Sequence, residues 1–275
     1  MTTLVSAPAA VVEGARPHGR FVRHSVFLTV RSLRTLLRQP SYAIATLVQP
    51  VVWLLLFGAL FKSVVTIPGF GPASQSYLEF ITPGVIVMTA LFSSGWAGTV
   101  YIEDMKRGVM DRFLASPVSR GAMMLGTLAY QAITTVVQTL VVFGIAWVAG
   151  ARFTWAGIGV TLAAAVLISV IIASLSNALA LLLRQQEALI GISQFIVLPL
   201  QFLSSALMSV ALAAAWVRHV ATVNPVDWAV VAARQSLLSG TDWSVVASRL
   251  GWLGIVALVM AYLATRAFGA YQRSL

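Results

Sequence analysis

Residues 103–120 read EDMKRGVMDRFLASPVSR, a charged island between two runs, 80–101 and 121–151, that contain no Asp, Glu, Lys or Arg. Within it Met105, Val109 and Phe113 recur at i, i+4 and i+8, the spacing of one helical face. Lys106, Arg107, Asp111 and Arg112 fill most of the other positions, and Ser116-Pro117 closes the pattern. Such a segment cannot enter lipid, yet it has an apolar face to bury. It either rests on the headgroups or docks against a soluble partner. In the second case Met105, Val109 and Phe113 form the buried side, and charges such as Asp104, Arg107 and Arg112 sit at the rim. In both cases the flanking runs are membrane spans, and the chain is an all-α polytopic membrane protein.

The composition agrees. Of 275 residues 59% are hydrophobic and 9% charged, with a mean hydropathy of +0.90, far from a soluble average. A net charge of +10 would suit nucleic acid, but the cations fall at the edges of apolar runs, where they set membrane orientation; a nucleic-acid partner is not expected. With no Cys there is no disulfide framework or thiol nucleophile. The only lysines, Lys62 and Lys106, lie in no phosphate-binding glycine loop, so any ATP must be hydrolysed on another chain. His18, His24 and His219 form no cluster, and no HExxH or GxSxG occurs, so the chain is not expected to be an enzyme or to hold a metal or cofactor.

Toward the N-terminus, residues 1–17 read as a mobile tail. Residues 18–39 form an amphipathic helix: Arg20, Arg23, Arg31, Arg34 and Arg38 share one side, and Val22, Val26, Val30, Leu33, Leu36 and Leu37 the other, with Phe27 the exception. This is the pattern of a helix lying on the membrane with Arg toward water and headgroups. The first span is expected over 42–61, with Gln49-Pro50 as a kink. A turn-rich loop occupies 62–79, and span two 80–101. Beyond the island, span three lies within 121–150, span four within 157–183, a polar hairpin at 184–187, and span five over 188–208 around Pro199. Residues 210–223 and 226–238 are apolar but too short to cross, so the stretch 209–240 reads as re-entrant. Span six covers 250–265. The N-terminal region, the island, the hairpin and the C-terminus hold 13 of the 18 Lys and Arg residues, which places both termini and the island in the cytoplasm.

No span contains an ionisable residue, which argues against a proton- or ion-driven transporter. The polar residues at membrane depth are Gln49, Gln131, Gln138, Asn177, Gln194 and Gln201. Interhelical hydrogen bonding, about 0.6–2 kcal/mol per contact, is their plain role. Gln49, Gln194, Gln201 and Asn177 are the candidates for a substrate path, Gln194 and Gln201 being seven apart and so on one face.

Four stretches in series resemble the ABC-2 family of ABC-exporter permeases: LLRQPSYAIATLVQPVVWLLLFGALF (36–61), YLEFITPGVIVMTALFSSG (77–95), EDMKRGVMDRFLASPVSRGAMMLG (103–126), and LPLQFLSSALMSV (198–210) with VNPVDWAVVAAR (223–234). The likeness is to daunorubicin-resistance-like permeases, while glycan- and lipid-exporting relatives share the frame. It implies a six-span half-transporter of a bacterial plasma membrane, occupying 40–275 behind an interfacial helix. It implies pairing with a second permease subunit, the same or different, and two copies of an ABC ATPase that carry the ATP and Mg. It also makes 103–120 the coupling helix, with Glu103, Asp104, Met105, Arg107, Gly108, Val109, Arg112 and Phe113 as its docking set. The substrate would be hydrophobic or amphipathic: a drug, lipid or glycolipid. Where many relatives have a proline after the Ser-rich stretch, this chain has Ser209-Val210-Ala211-Leu212. A reading of another class stays open, a membrane anchor or assembly subunit of an envelope-synthesis complex without transport of its own.

Overall fold

The structure is a computed structural model and describes residues 17–61, 76–116, 119–207, 213–237 and 241–273. Helices make up 87% of it, and no strand occurs among the described residues. In chain order the helices are α1 (Pro17–Leu37), α2 (Pro40–Leu60), α3 (Tyr77–Gly95), α4 (Thr99–Lys106), α5 (Val109–Ala115), α6 (Arg120–Val148), α7 (Trp155–Leu183), α8 (Gln186–Phe202), α9 (Ala215–Val223), α10 (Pro225–Leu237) and α11 (Trp243–Arg273). Among the described residues four segments are long and apolar enough to cross a bilayer: Tyr77–Lys106, which joins α3 to α4, then Arg120–Val148, Trp155–Leu183 and Trp243–Gly269. The helices expected as spans one and five, α2 and α8, are shorter; the apolar part of α2 is Ile44–Leu60 and α8 has 17 residues. Most of the 62–79 loop and the Ser209-Val210-Ala211-Leu212 departure lie outside the described residues.

Helix ends follow local chemistry. The loop expected to run to residue 79 gives way to helix at Tyr77, because Ser76 and Glu79 form a capping box. The Glu79 carboxylate also accepts the Arg152 N–H at 2.9 Å, tying the α6–α7 connection to the start of α3. Ser119 caps α6 and Thr154 caps α7, each accepting an N–H three residues on. Arg184 ends α7 at φ 57°, the left-handed C-cap that turns the chain into α8. The helix expected as span six over 250–265 is α11, which runs for 31 residues.

The core is arranged around α7, which packs on α3, α6, α10 and α11. Ala164, Ala165, Ala173 and Ala180, all fully buried, let neighbouring backbones approach. Gly84 of α3 lies against the Ala206 carbonyl, where a Cβ would overlap. At the turn between α3 and α4 Gly98 meets the Ser176 carbonyl in the same way. There Ser176 Oγ donates to Gly95 O (2.7 Å) and accepts from Gly98 N (3.0 Å), so that turn is pinned to α7.

The helix expected over 18–39 is α1, and its described side chains fall into three sectors. Val22, Val26, Phe27 and Leu37 are exposed to whatever surrounds the protein, and Arg23, Arg34 and Arg38 are exposed as well. Between those sectors Ser25, Leu28 and Thr29 are buried against α6. Thr29 Oγ1 donates to Gly126 O at 3.1 Å, a contact that the missing side chain of Gly126 permits. The side chain of Arg20 lies outside the described residues.

Candidate functional site

The island is not the single helix 103–120. It is the end of α4, a joint at Arg107-Gly108, and α5. Gly108 stands at φ +65°, a conformation that costs other residues about 1–2 kcal/mol, and its N–H donates to Met105 O at 3.0 Å. The joint also changes the helical phase. A continuous helix would align Val109 with Met105 and Phe113; instead Met110 is the fully buried residue, while Met105, Val109 and Phe113 are half-buried. Part of the expected docking face, Met105 and Phe113, thus packs on the chain's own core beside Tyr101, Ile102, Met123 and Phe268.

The charges of the island divide. Glu103, Lys106, Arg107, Asp111 and Arg112 are exposed, and the Glu103–Arg107 pair at 3.5 Å is open to water on both sides. Asp104, by contrast, is turned inward and only 8% exposed. Both of its oxygens take the fork of Arg31 from α1, at 2.6 and 3.2 Å. The same guanidinium lies 5.3 Å from the centre of the Phe113 ring. Arg31 therefore does not share the fate of Arg34 and Arg38.

Toward mid-chain depth a cavity of about 320 Å³ opens between α2, α3, α6 and α8. Gln49, Gln138 and Gln194 reach it from three different helices, and Trp53, Phe92 and Trp96 give it aromatic walls. Among the described residues no Asp, Glu, Lys, Arg or His lines it. Its volume suits a drug-sized apolar ligand held by a few polar groups. Gln138 is buried, and its Oε1 has no hydrogen-bond partner among the described residues. Of the four expected path residues, Gln49 and Gln194 meet here. Gln201 is buried elsewhere, one residue from the end of α8, with its Oε1 also unpartnered. Asn177 faces the interior of α7's packing, donating to Thr127 Oγ1 at 3.2 Å, which fits the plain interhelical role.

At the other end from Arg31 a polar clasp holds the segment that follows α8. Asn224 Nδ2 donates to Leu200 O (2.7 Å) and Leu203 O (2.9 Å), carbonyls left free where α8 ends. Asp227 accepts the Ser205 N–H at 2.9 Å, and Arg234 donates to the Ser205 carbonyl at 3.0 Å. The Arg234 guanidinium also lies 3.7 Å from the centre of the Phe80 ring. The sequence reading missed Asp227 and Arg234, although their spacing of seven puts them on one face of α10. Held this way, Ala206 closes over Gly84, one residue before the cavity-lining Val85.

Residues 24–238 match the protein family described as ABC-2 type transporter. The chain is 28% identical over 246 residues to a daunorubicin resistance ABC transporter permease protein of Streptomyces coeruleorubidus, covering 87% of this chain and 84% of the relative. It is 23% identical over 243 residues to a Mycobacterium tuberculosis protein named "Probable doxorubicin resistance ABC transporter permease protein", covering 88% and 86%.

Proposed function

This chain belongs to the ABC-2 type transporter family, and from that premise we propose that it is the permease subunit of an ATP-driven exporter of a hydrophobic or amphipathic compound. One observation carries the proposal: the cavity wall runs through a single pinned turn into the exposed charged element. Trp96 lines the cavity, and α4 starts three residues later. A push on α4 has a short route to the cavity, because the turn between α4 and α3 is pinned by Ser176.

On this reading α2, α3–α4, α6, α7, α8 and α11 are the six spans, and α9 and α10 re-enter from the outer face. A separate ABC ATPase, in two copies with ATP and Mg, engages the exposed side of α4 and α5. The chain pairs with a second permease subunit, identical or different, and the cavity between α2 and α8 becomes half of a shared path. An uncharged, aromatic lining favours a drug of the kind in the relatives' names over an anionic lipid or glycan, for which no lining cation is present.

The test is the purified complex with its ABC ATPase in liposomes, with daunorubicin as probe. Daunorubicin should stimulate hydrolysis. Trp96→Ala together with Gln194→Ala should raise the half-maximal concentration by about tenfold with basal hydrolysis kept, as expected when an aromatic anchor is lost. Trp155→Ala, at an exposed site on the far side of α7's start, should change nothing. If no ATPase associates with the chain, or if no added compound stimulates hydrolysis, the anchor reading takes its place.

The cytoplasmic placement of both termini rests on the Lys and Arg bias. Since the chain has no Cys, single cysteines report sidedness directly. Trp216→Cys, exposed on α9, should react with an impermeant maleimide added outside cells, and Ser119→Cys only after permeabilisation. The reverse pattern would invert the topology.

A further inference from the structure

The joint at Gly108 raises a mechanical problem. No atom lies within 4 Å of where a Cβ would stand there, so nothing braces the joint from its own side. Met110, buried in one cluster with Tyr101 and Ile102, holds α5 to α4 on the core side, but the open side leaves the angle between them free to change under load. The turn on the other side of α4 is stiff, held on both flanks by Ser176. Some other contact must stiffen the first joint if α5 is to move the cavity wall.

We propose that Arg31 is that brace: a positioning residue that locks the interfacial helix α1 to α4 and α5 so that the three move as one lever. The proposal rests on the reading that α5 receives an ATPase subunit. Arg31 binds Asp104 on the near side of the joint through two hydrogen bonds and covers Phe113 on the far side. Only a planar fork with a stackable face can serve both, which an ammonium cannot. Its own footing is firm, because Leu28 and Thr29, three and two residues earlier, are buried against Gly126 of α6. That helix carries Gln138 to the cavity. The lever thus meets the cavity along two helices, α3 through α4 and α6 through α1.

Stability is not the whole account of the pair. The Arg31 side chain keeps 38% of its exposure but that of Asp104 only 12%, so Arg31→Gln should also lower the thermal midpoint by leaving a buried carboxylate unpaired. What a two-point fork adds is a fixed angle. Arg34, one turn on and exposed, supplies the control: the same charge on the same helix without the contacts.

The experiment uses the full complex with its ABC ATPase in liposomes and one cysteine at Ser93, a half-buried cavity position. The rate of maleimide reaction is measured with and without ATP and vanadate, so no transport substrate is needed. With Arg31 intact, nucleotide should change the rate by about tenfold, within the usual range of coupling between sites. Arg31→Gln should reduce that ratio to about two or less, with bound ATPase and hydrolysis near the parent level, and Arg34→Gln should leave it whole. Arg31→Lys, which keeps the charge but neither the fork nor the stackable face, should fall between them. An undiminished response in Arg31→Gln overturns the proposal, as does an equal loss in Arg34→Gln or the loss of bound ATPase. No response with Arg31 intact overturns the transport reading together with it.

Discussion

Asp227→Ala should destabilise the purified protein by about 2–3 kcal/mol, read as a lowered thermal midpoint in detergent, because it strips the bond from a buried N–H and takes a nearby negative charge from the half-buried Arg234. Asp227 is 6% exposed and accepts the Ser205 N–H. It also supplies the negative field that supports the Arg234 guanidinium over Phe80. Asp227→Asn should cost less, about 1–2 kcal/mol, since its amide oxygen keeps the bond to Ser205 while only the charge is lost. Asp227→Ala with Arg234→Met should cost less than the sum of the single changes, because removing both charges leaves none unpaired. Strict additivity in that cycle would show the two residues to act separately. A drop near zero for Asp227→Ala would show the clasp to be incidental to the fold. The same lesion should also loosen Ala206 from Gly84, opening the cavity on that side.

That clasp marks where reading the sequence stopped. The long spans were legible because apolar composition over some 29 residues, as in α6 and α7, leaves few alternatives. The α1 helix was legible because its arginines repeat with helical period. What the sequence did not disclose depended on neighbours distant in the chain. Asp104 sits in a run of charges and looked like a rim residue; its burial follows from Arg31, 73 residues earlier. Gln49, Gln138 and Gln194 share a cavity though no local period relates them. Gln201 shares Gln194's face but lies beyond Pro199, close to the end of α8 and next to the clasp, where neighbours bury it. A lone Gly in a helical pattern reads as tolerated, so the joint at Gly108 passed for mid-helix. Its left-handed conformation swapped Val109 for Met110 as the buried residue of that turn.

Gly108→Pro is expected to disable the protein while leaving it in the membrane. Proline fixes φ near −65°, whereas this position needs φ +65°, and the substitution also removes the N–H that bonds to Met105 O. No low-energy form of the joint is left, so α5 must leave its place at a cost of about 3 kcal/mol or more. Leaving carries Met110 out of the core and Phe113 from under Arg31, both packed in the same cluster as Tyr101 and Phe268. The long spans do not depend on this turn, so insertion and sidedness should be unchanged. Limited proteolysis should cut near residue 108 in the mutant alone, and association with the proposed ABC ATPase partner should fall by about tenfold or more, the scale of losing a central anchor. Gly108→Asn separates conformation from chemistry, because Asn enters the left-handed region readily and open space surrounds the site. It should bind and couple nearly as the parent does. Should Gly108→Pro retain bound ATPase and substrate-stimulated hydrolysis, α5 does not take part in coupling, and the exposed charges on α4 would have to carry it alone.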